Sequence, residues 1–152
     1  MTGVVRAAVS GDLTAVQAIV ELAYAGYIPR IGRRPGPMDD DYAARIADGV
    51  VHVLEEDGRV LACLVLIAEA DAMLLDNIAV HPEAQGRGYG GVLLRFAEAA
   101  ARAAGLPAIR LYTNVAMVEN IALYQRLGYV ETHRAEERGL RRVYFRKDLT
   151  AG

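Results

Sequence analysis

The chain has 152 residues, of which 53% are hydrophobic and 24% charged, proportions that suit one domain with its own core and exclude a disordered segment or a two-domain dinucleotide enzyme. Seventeen basic residues against nineteen acidic ones give a formal net charge of −2, too little positive field to hold nucleic acid or an anionic membrane. The single cysteine, Cys63, excludes an internal disulfide, and no Cys/His group has zinc-ligand spacing, so no metal is expected.

The first residues, Met1-Thr2-Gly3-Val4-Val5-Arg6, lack the basic and apolar regions of a secretory leader. The longest strongly apolar run, Val60 to Ala68, is nine residues, about half of what a bilayer-spanning helix needs. A cytoplasmic location without a membrane partner is the expectation.

In chain order, Val4 to Ala8 is a short β-prone run that stops at Ser10-Gly11-Asp12, a turn and helix cap. Leu13, Val16, Ile19, Val20, Ala23 and Tyr27 follow at the three-four spacing of an amphipathic helix. Ile28 to Met38 carries three prolines and two glycines and reads as a loop. Asp39 to Asp41 then caps a second short helix that runs to about Ala47. Val50 to Glu55 and Arg59 to Ala68 are β-branched runs joined by Glu56-Asp57-Gly58, a strong hairpin signal. Met73 to Val80 adds a third strand, making an antiparallel meander.

A glycine cluster leads into an alanine-rich helix from Tyr89 to Ala104, with Val92, Phe96, Ala99 and Ala103 as its expected buried stripe; Gly105-Leu106-Pro107 ends it. Ala108 to Thr113 reads as a strand, Val118 to Leu127 as a helix closed by Gly128, and Tyr129 to Thr132 as a strand. Arg142 to Leu149 pairs back across the Arg138-Gly139 turn. The order is β-α-α-β-β-β-α-β-α-β-β, one mixed α/β (α+β) domain over residues 1–152.

The sharpest chemical feature is Gln85-Gly86-Arg87-Gly88-Tyr89-Gly90-Gly91, set between an apolar strand and a helix. Glycines let backbone amides crowd a ligand, and the helix start adds unpaired N–H groups and a positive dipole end. Together these make a pyrophosphate cradle. A Walker loop is excluded because no Gly-Lys-Ser/Thr follows. Gly86-x-Gly88-x-x-Gly91 matches the Rossmann fingerprint, but the next strand ends in Leu111-Tyr112-Thr113 without the acidic residue that fold requires, and the preceding strands look antiparallel. A nicotinamide-dependent oxidoreductase is therefore demoted.

Ile78-Ala79-Val80-His81-Pro82 followed by Gln85-Gly86-Arg87-Gly88-Tyr89-Gly90 resembles the acetyl-CoA signature of the GNAT superfamily of acyl-CoA N-acyltransferases. Asn120-Ile121-Ala122-Leu123-Tyr124-Gln125-Arg126-Leu127-Gly128-Tyr129 is similar to that family's C-terminal helix motif, in the family's order and spacing. The resemblance covers nearly the whole chain and implies a mostly antiparallel central sheet flanked by helices, acetyl-CoA as cosubstrate, and an amine acceptor that is a small molecule or a peptide. It implies that the strand of Ile78, Ala79 and Val80 splays and pairs with the pantetheine arm. Main-chain amides from Gln85 to Gly91 would hold the pyrophosphate. Tyr124 is implied as the general acid toward the CoA thiolate, with a backbone N–H near Ala79 or Val80 facing the oxyanion.

Several positions stay open in the sequence. Arg87 is either a phosphate contact or a solvated loop arginine. Where many family members carry an Asn seven residues before the tyrosine, this chain has Met117; Asn114 and Asn120 are nearby substitutes, or simply close the turn and cap the helix. Asp76 shares a face with Leu74 and is either a base acting through water or a structural hydrogen bonder. In the loop expected to line the acceptor cleft, Arg30, Arg33 and Arg34 either hold a carboxylate or phosphate on the acceptor or pair with Asp39, Asp40 and Asp41 as solvated charges; Tyr27 and Arg30 are kept as candidates, while Arg33 and Arg34 lean toward the solvated reading. Cys63 reads as buried and inert. The competing function is an acyl-CoA sensor that no longer turns over, and the final strands offer an edge for a homodimer.

Overall fold

A computed structural model describes residues 3–149; Met1 and Thr2, which the leader reading used, and residues 150–152 lie outside that range. Seven strands form one sheet: β1 (Val4–Ala7), β2 (Val51–Glu56), β3 (Arg59–Ala68), β4 (Met73–Val80), β5 (Ala108–Asn114), β6 (Val130–Glu137) and β7 (Leu140–Asp148), in the spatial order β1-β2-β3-β4-β5-β7-β6. All pairings are antiparallel except β4 with β5. That parallel pair requires a crossover, supplied by α4 (Tyr89–Ala103). The remaining helices are α1 (Leu13–Tyr24), α2 (Ile28–Ile31), α3 (Tyr42–Ala47) and α5 (Val118–Arg126). No helix among the described residues is long and apolar enough to cross a membrane.

Two buried clusters sandwich the sheet. On one face Leu54, Leu64, Leu75, Ile109, Leu111 and Phe145 pack under Leu93, Leu94 and Ala97 of α4 and Tyr124 of α5. On the other, Val51, Val53, Cys63, Val65 and Ala79 meet Val16, Ile19 and Val20 of α1. Each fully buried aliphatic side chain contributes about 1.5–3 kcal/mol of transfer free energy, so the strands are held at their centres while their ends stay free for a site.

Three departures from the sequence reading have local causes. The buried stripe of α4 is Tyr89, Leu93, Leu94, Ala97 and Ala101, whereas Ala99 and Ala103 are exposed. In an alanine-rich helix the few large side chains set the orientation, and the Leu93-Leu94 pair turns inward, leaving Phe96 half-buried against the His52 ring at 5.0 Å. The stretch Ile28 to Met38 is not wholly irregular: α2 takes Pro29 in its first turn, and Gly36–Asp39 forms a 3-10 turn with Pro37 near its start. Strand β6 runs on to Glu137 although its sequence lacks apolar alternation, because it is an outer strand with most side chains in solvent. The expected Asp41 cap is present, its Oδ1 accepting from Ala44 N–H at 3.1 Å.

Candidate active site

Strands β4 and β5 pair only through Met73, Leu74 and Leu75 with Ile109, Arg110 and Leu111. Beyond that point both strands continue without pairing to each other, β4 to Val80 and β5 to Asn114, so the sheet opens. A β-bulge lies at the opening: Val65 faces Asn77 and Leu66 faces Leu75, which leaves Asp76 as the extra residue on β4. Asp76 keeps the side expected from alternation with Leu74, and the bulge brings Asn77 to that side as well.

The register settles which backbone groups of β4 are free. His81 N–H donates to Leu61 C=O at 2.8 Å, and antiparallel alternation then places Ala79 and Asn77 in hydrogen-bonded pairs with Cys63 and Val65. The N–H and C=O groups of Ile78 and Val80 therefore point to the opposite, open edge. Side chains take both carbonyls: Tyr24 Oη reaches Ile78 O at 3.0 Å, and Gln85 Nε2 donates to Val80 O at 3.3 Å. The two N–H groups stay on the edge. Ala79, by contrast, turns its methyl into the α1-side cluster and its backbone toward β3.

Just past this edge, Gly86 and Gly88 have φ of +82° each, a conformation L side chains rarely adopt, and both face open space. Gly88 is the N-cap of α4 and offers no side-chain cap, so the first amides of the helix point outward unsatisfied. Tyr89 does not face outward: its ring is buried and its hydroxyl donates to Glu56 of β2, anchoring the first turn of α4. The exposed Arg87 lines a separate surface basin with Glu56, Arg59 and Glu83. The loop thus presents bare backbone toward the open edge, a chemical fit to a phosphate-bearing arm.

An open cleft of about 500 Å³ occupies the splay, lined among others by Asp76, Ile78, Asn114, Met117, Asn120 and Tyr124. Five of the sequence-predicted residues thus meet there. Tyr124 is buried, packed against Tyr129 and Phe145 with ring centroids 6.0 Å away, and its hydroxyl makes no hydrogen bond among the described residues. Burial raises its pKa well above the ordinary phenol value. Asn114 Oδ1 accepts from Ala116 N–H at 2.9 Å, closing the turn into α5. Met117 Sδ accepts from Thr113 Oγ1 at 3.2 Å, with Asn120 Nδ2 at 3.8 Å. Asp76 accepts from Tyr112 Oη at 2.8 Å and lies 3.8 Å from Arg45. Tyr27 and Arg30 do not line the cleft. Arg30 stacks on Tyr27 at 5.0 Å, and both reach Glu119 on α5.

Residues not singled out in the sequence complete the cleft. Asn77 sits buried between α1 and α3: Tyr24 Oη lies 2.6 Å from its Oδ1, and its Nδ2 donates to Tyr42 Oη at 2.8 Å. Tyr42 in turn donates to Pro37 O at 2.5 Å, so one chain of hydrogen bonds ties β4 to the loop over the cleft. A second polar residue beside Asp76 in a mostly apolar strand was the available signal. Arg142 lies over the Tyr112 ring at 4.4 Å and pairs with Glu137 at 3.1 Å; nothing in its sequence context separates it from the neighbouring arginines of β7.

The acetyltransferase (GNAT) domain family matches residues 47–131, more than half of the chain. No curated protein matches the sequence significantly. Among solved structures, the ribosomal-protein-S18-alanine N-acetyltransferase of Escherichia coli superposes with a TM-score of 0.80 at 20% identity, covering 99% of this chain and 96% of that one. The PaiA N-acetyltransferase of Thermoplasma acidophilum, solved in complex with coenzyme A, gives 0.81 at 15% identity, with 98% and 100% covered. The IAA acetyltransferase of Bacillus cereus gives 0.73 at 22%, with 97% and 100% covered. The splayed β4–β5 pair, the glycine loop at its mouth and the family match agree: the chain belongs to the GNAT acetyltransferase family.

Proposed function

We propose that the protein transfers an acetyl group from acetyl-CoA directly to an amine held in the cleft. The observation that carries this reading is the open edge of β4, with the N–H groups of Ile78 and Val80 exposed between a bare glycine loop and the Tyr124 hydroxyl. Acetyl-CoA, when bound, supplies an activated thioester. The amides from Gly86 to Gly91 suit its pyrophosphate, the Ile78–Val80 edge suits its amide-bearing arm, and Val80 N–H is the donor available to a developing oxyanion. Asn114 and Asn120 already have structural partners, and Met117 leaves the arm an apolar neighbour in place of the amide many family members carry.

Tyr124 keeps its proton at every working pH, because burial disfavours the phenolate. An ordinary phenol, at about 10, is already a weaker acid than a free thiol, at about 8.5, so Tyr124 acts on the departing sulfur without giving up its proton completely. Its role is to donate a hydrogen bond to the leaving sulfur and so stabilise charge as it develops there. Asp76 is the one carboxylate among the described residues lining the inner cleft and holds the acceptor's amine end. No covalent acetyl-enzyme is involved: Cys63 is fully buried and its thiol is pushed up to about 12.

A thiol-release assay with acetyl-CoA and a panel of primary amines tests the reading. Free CoA formed in step with an N-acetylated product supports it. Binding of acetyl-CoA with no release for any amine replaces it with the acyl-CoA sensor.

A further inference from the structure

The inner cleft opens outward into a charged basin of about 1020 Å³, and the two share Gly36, Pro37, Asp76, Tyr112, Leu140 and Arg142. Five arginines and four carboxylates line the basin, an excess of one positive charge. Most of these charges are spoken for. Arg34 pairs with Glu21 and Asp39, Arg45 with Asp40 and Asp76, and Arg142 with Glu137. Two are not: among the described residues, neither Arg33 nor Arg138 forms an ion pair, although the chain as a whole has more acids than bases.

The backbone singles out the same pair. The β6–β7 hairpin turns at Arg138-Gly139 with φ of +53° and +77°, the geometry of a turn that favours Asn, Asp or Gly at both central positions. The β2–β3 hairpin makes the same turn with Asp57-Gly58, at +54° and +78°, and so uses the preferred residue type. Arg at the first position costs backbone energy without a local gain, which points to its side chain. Arg33 comes from the opposite wall and lies on that turn: a Cβ added to Gly139 would sit 2.3 Å from Arg33 Nη1. The Arg33 guanidinium from one wall and the turn that carries Arg138 on the other thus meet at one end of the basin, two cationic residues with no carboxylate paired to either among the described residues, a setting that suits an anion.

We propose that this end of the basin binds an anionic group, carboxylate or phosphate, that is part of the acceptor itself. The substrate class is an amine bearing an acid: Arg33 and Arg138 hold the anion, while Asp76 holds the amine end in the inner cleft beside the open edge of β4. The assignment of the amine end rests on the acetyltransferase reading; the anion site does not.

The test is calorimetric titration with matched probes, β-alanine against β-alaninamide and O-phosphoethanolamine against ethanolamine. The same titrations are run on the wild type and on the double variant Arg33→Gln/Arg138→Asn, in which Asn keeps the left-handed turn. The anionic member of at least one pair is expected to bind about tenfold more tightly to the wild type, the size of one charge-assisted contact. That preference should collapse in the variant while its thermal midpoint holds or rises, since Asn suits the left-handed turn better than Arg. Which pair shows it distinguishes carboxylate from phosphate. Equal binding within each pair, no binding of any probe, or an undiminished preference in the variant overturns the inference. Acetyl-CoA titrated into the same samples separates the two readings: acetyl-CoA bound without an anion preference sinks this inference alone, whereas an anion preference without acetyl-CoA binding sinks the enzymatic one.

Discussion

Among the described residues the hydroxyl of Tyr124 has no hydrogen-bond partner to lose, which makes its removal unusually clean. Tyr124→Phe keeps the ring that packs on Tyr129 and Phe145, so folding stability should stay within about 0.5 kcal/mol and acetyl-CoA affinity should hold. The turnover number should fall about a hundredfold if the hydroxyl stabilises the leaving sulfur; unchanged turnover assigns the residue to packing. Asn77 behaves oppositely. Asn77→Ala removes its bonds to Tyr24 and Tyr42 inside the protein and should cost about 1–3 kcal/mol in urea unfolding; no shift would contradict the buried network. Of these residues only Tyr124 was legible in the sequence, because it stands in a motif of fixed spacing. Asn77 was not, because the bulge at Asp76 breaks the two-residue alternation from which side-chain direction is read. Arg33 read as either an anion contact or a solvated charge, leaning to the latter, because its lack of an ion-pair partner among the described residues is a property of three-dimensional pairing, invisible beside the run of Asp39, Asp40 and Asp41.

At the level of elements, the N-terminus of α4 and the edge of β4 form one device, held together by the Gln85 bond to Val80 and by the Tyr89 anchor on β2. A single substitution separates a ligand cradle from an ordinary turn. Gly90→Ala places a methyl in open space within the first turn of α4, where alanine is the better helix former by about 1 kcal/mol. Stability should rise by up to that amount while acetyl-CoA binding weakens, and the opposite signs are the diagnostic. A gain in stability with unchanged affinity would remove Gly90 from the cradle. Elements with strong local signals were readable in advance, among them the Asp57-Gly58 hairpin, the Asp41 cap and the glycine-to-helix junction. The inward face of α4 was not, since alanines carry little preference for either side. Strand β6 was cut short in the reading because an outer strand needs no apolar alternation.

For the molecule as a whole, the two cores bury groups that must stay neutral. Cys63, Tyr24, Tyr42 and Tyr124 all have pKa values raised, first by desolvation. In the unfolded chain the thiol ionises near pH ~8.5 and the phenols near pH ~10. Above those values the unfolded state binds fewer protons than the folded one, so stability is complete below them and declines as pH rises. The thermal midpoint should begin to fall above about pH 9 and drop faster beyond about pH 10, and Cys63→Ala should remove the earlier onset; a midpoint flat to pH 11 would contradict the burial. None of this bears on what the fold is for, which turns on the glycine loop and the open edge of β4. Titrating the purified protein with acetyl-CoA, with NAD in parallel, tests that directly. The account predicts a saturable micromolar isotherm for acetyl-CoA and silence for NAD. No heat and no saturation with acetyl-CoA would contradict it, and binding of NAD alone would return the loop to the dinucleotide fingerprint it formally matches.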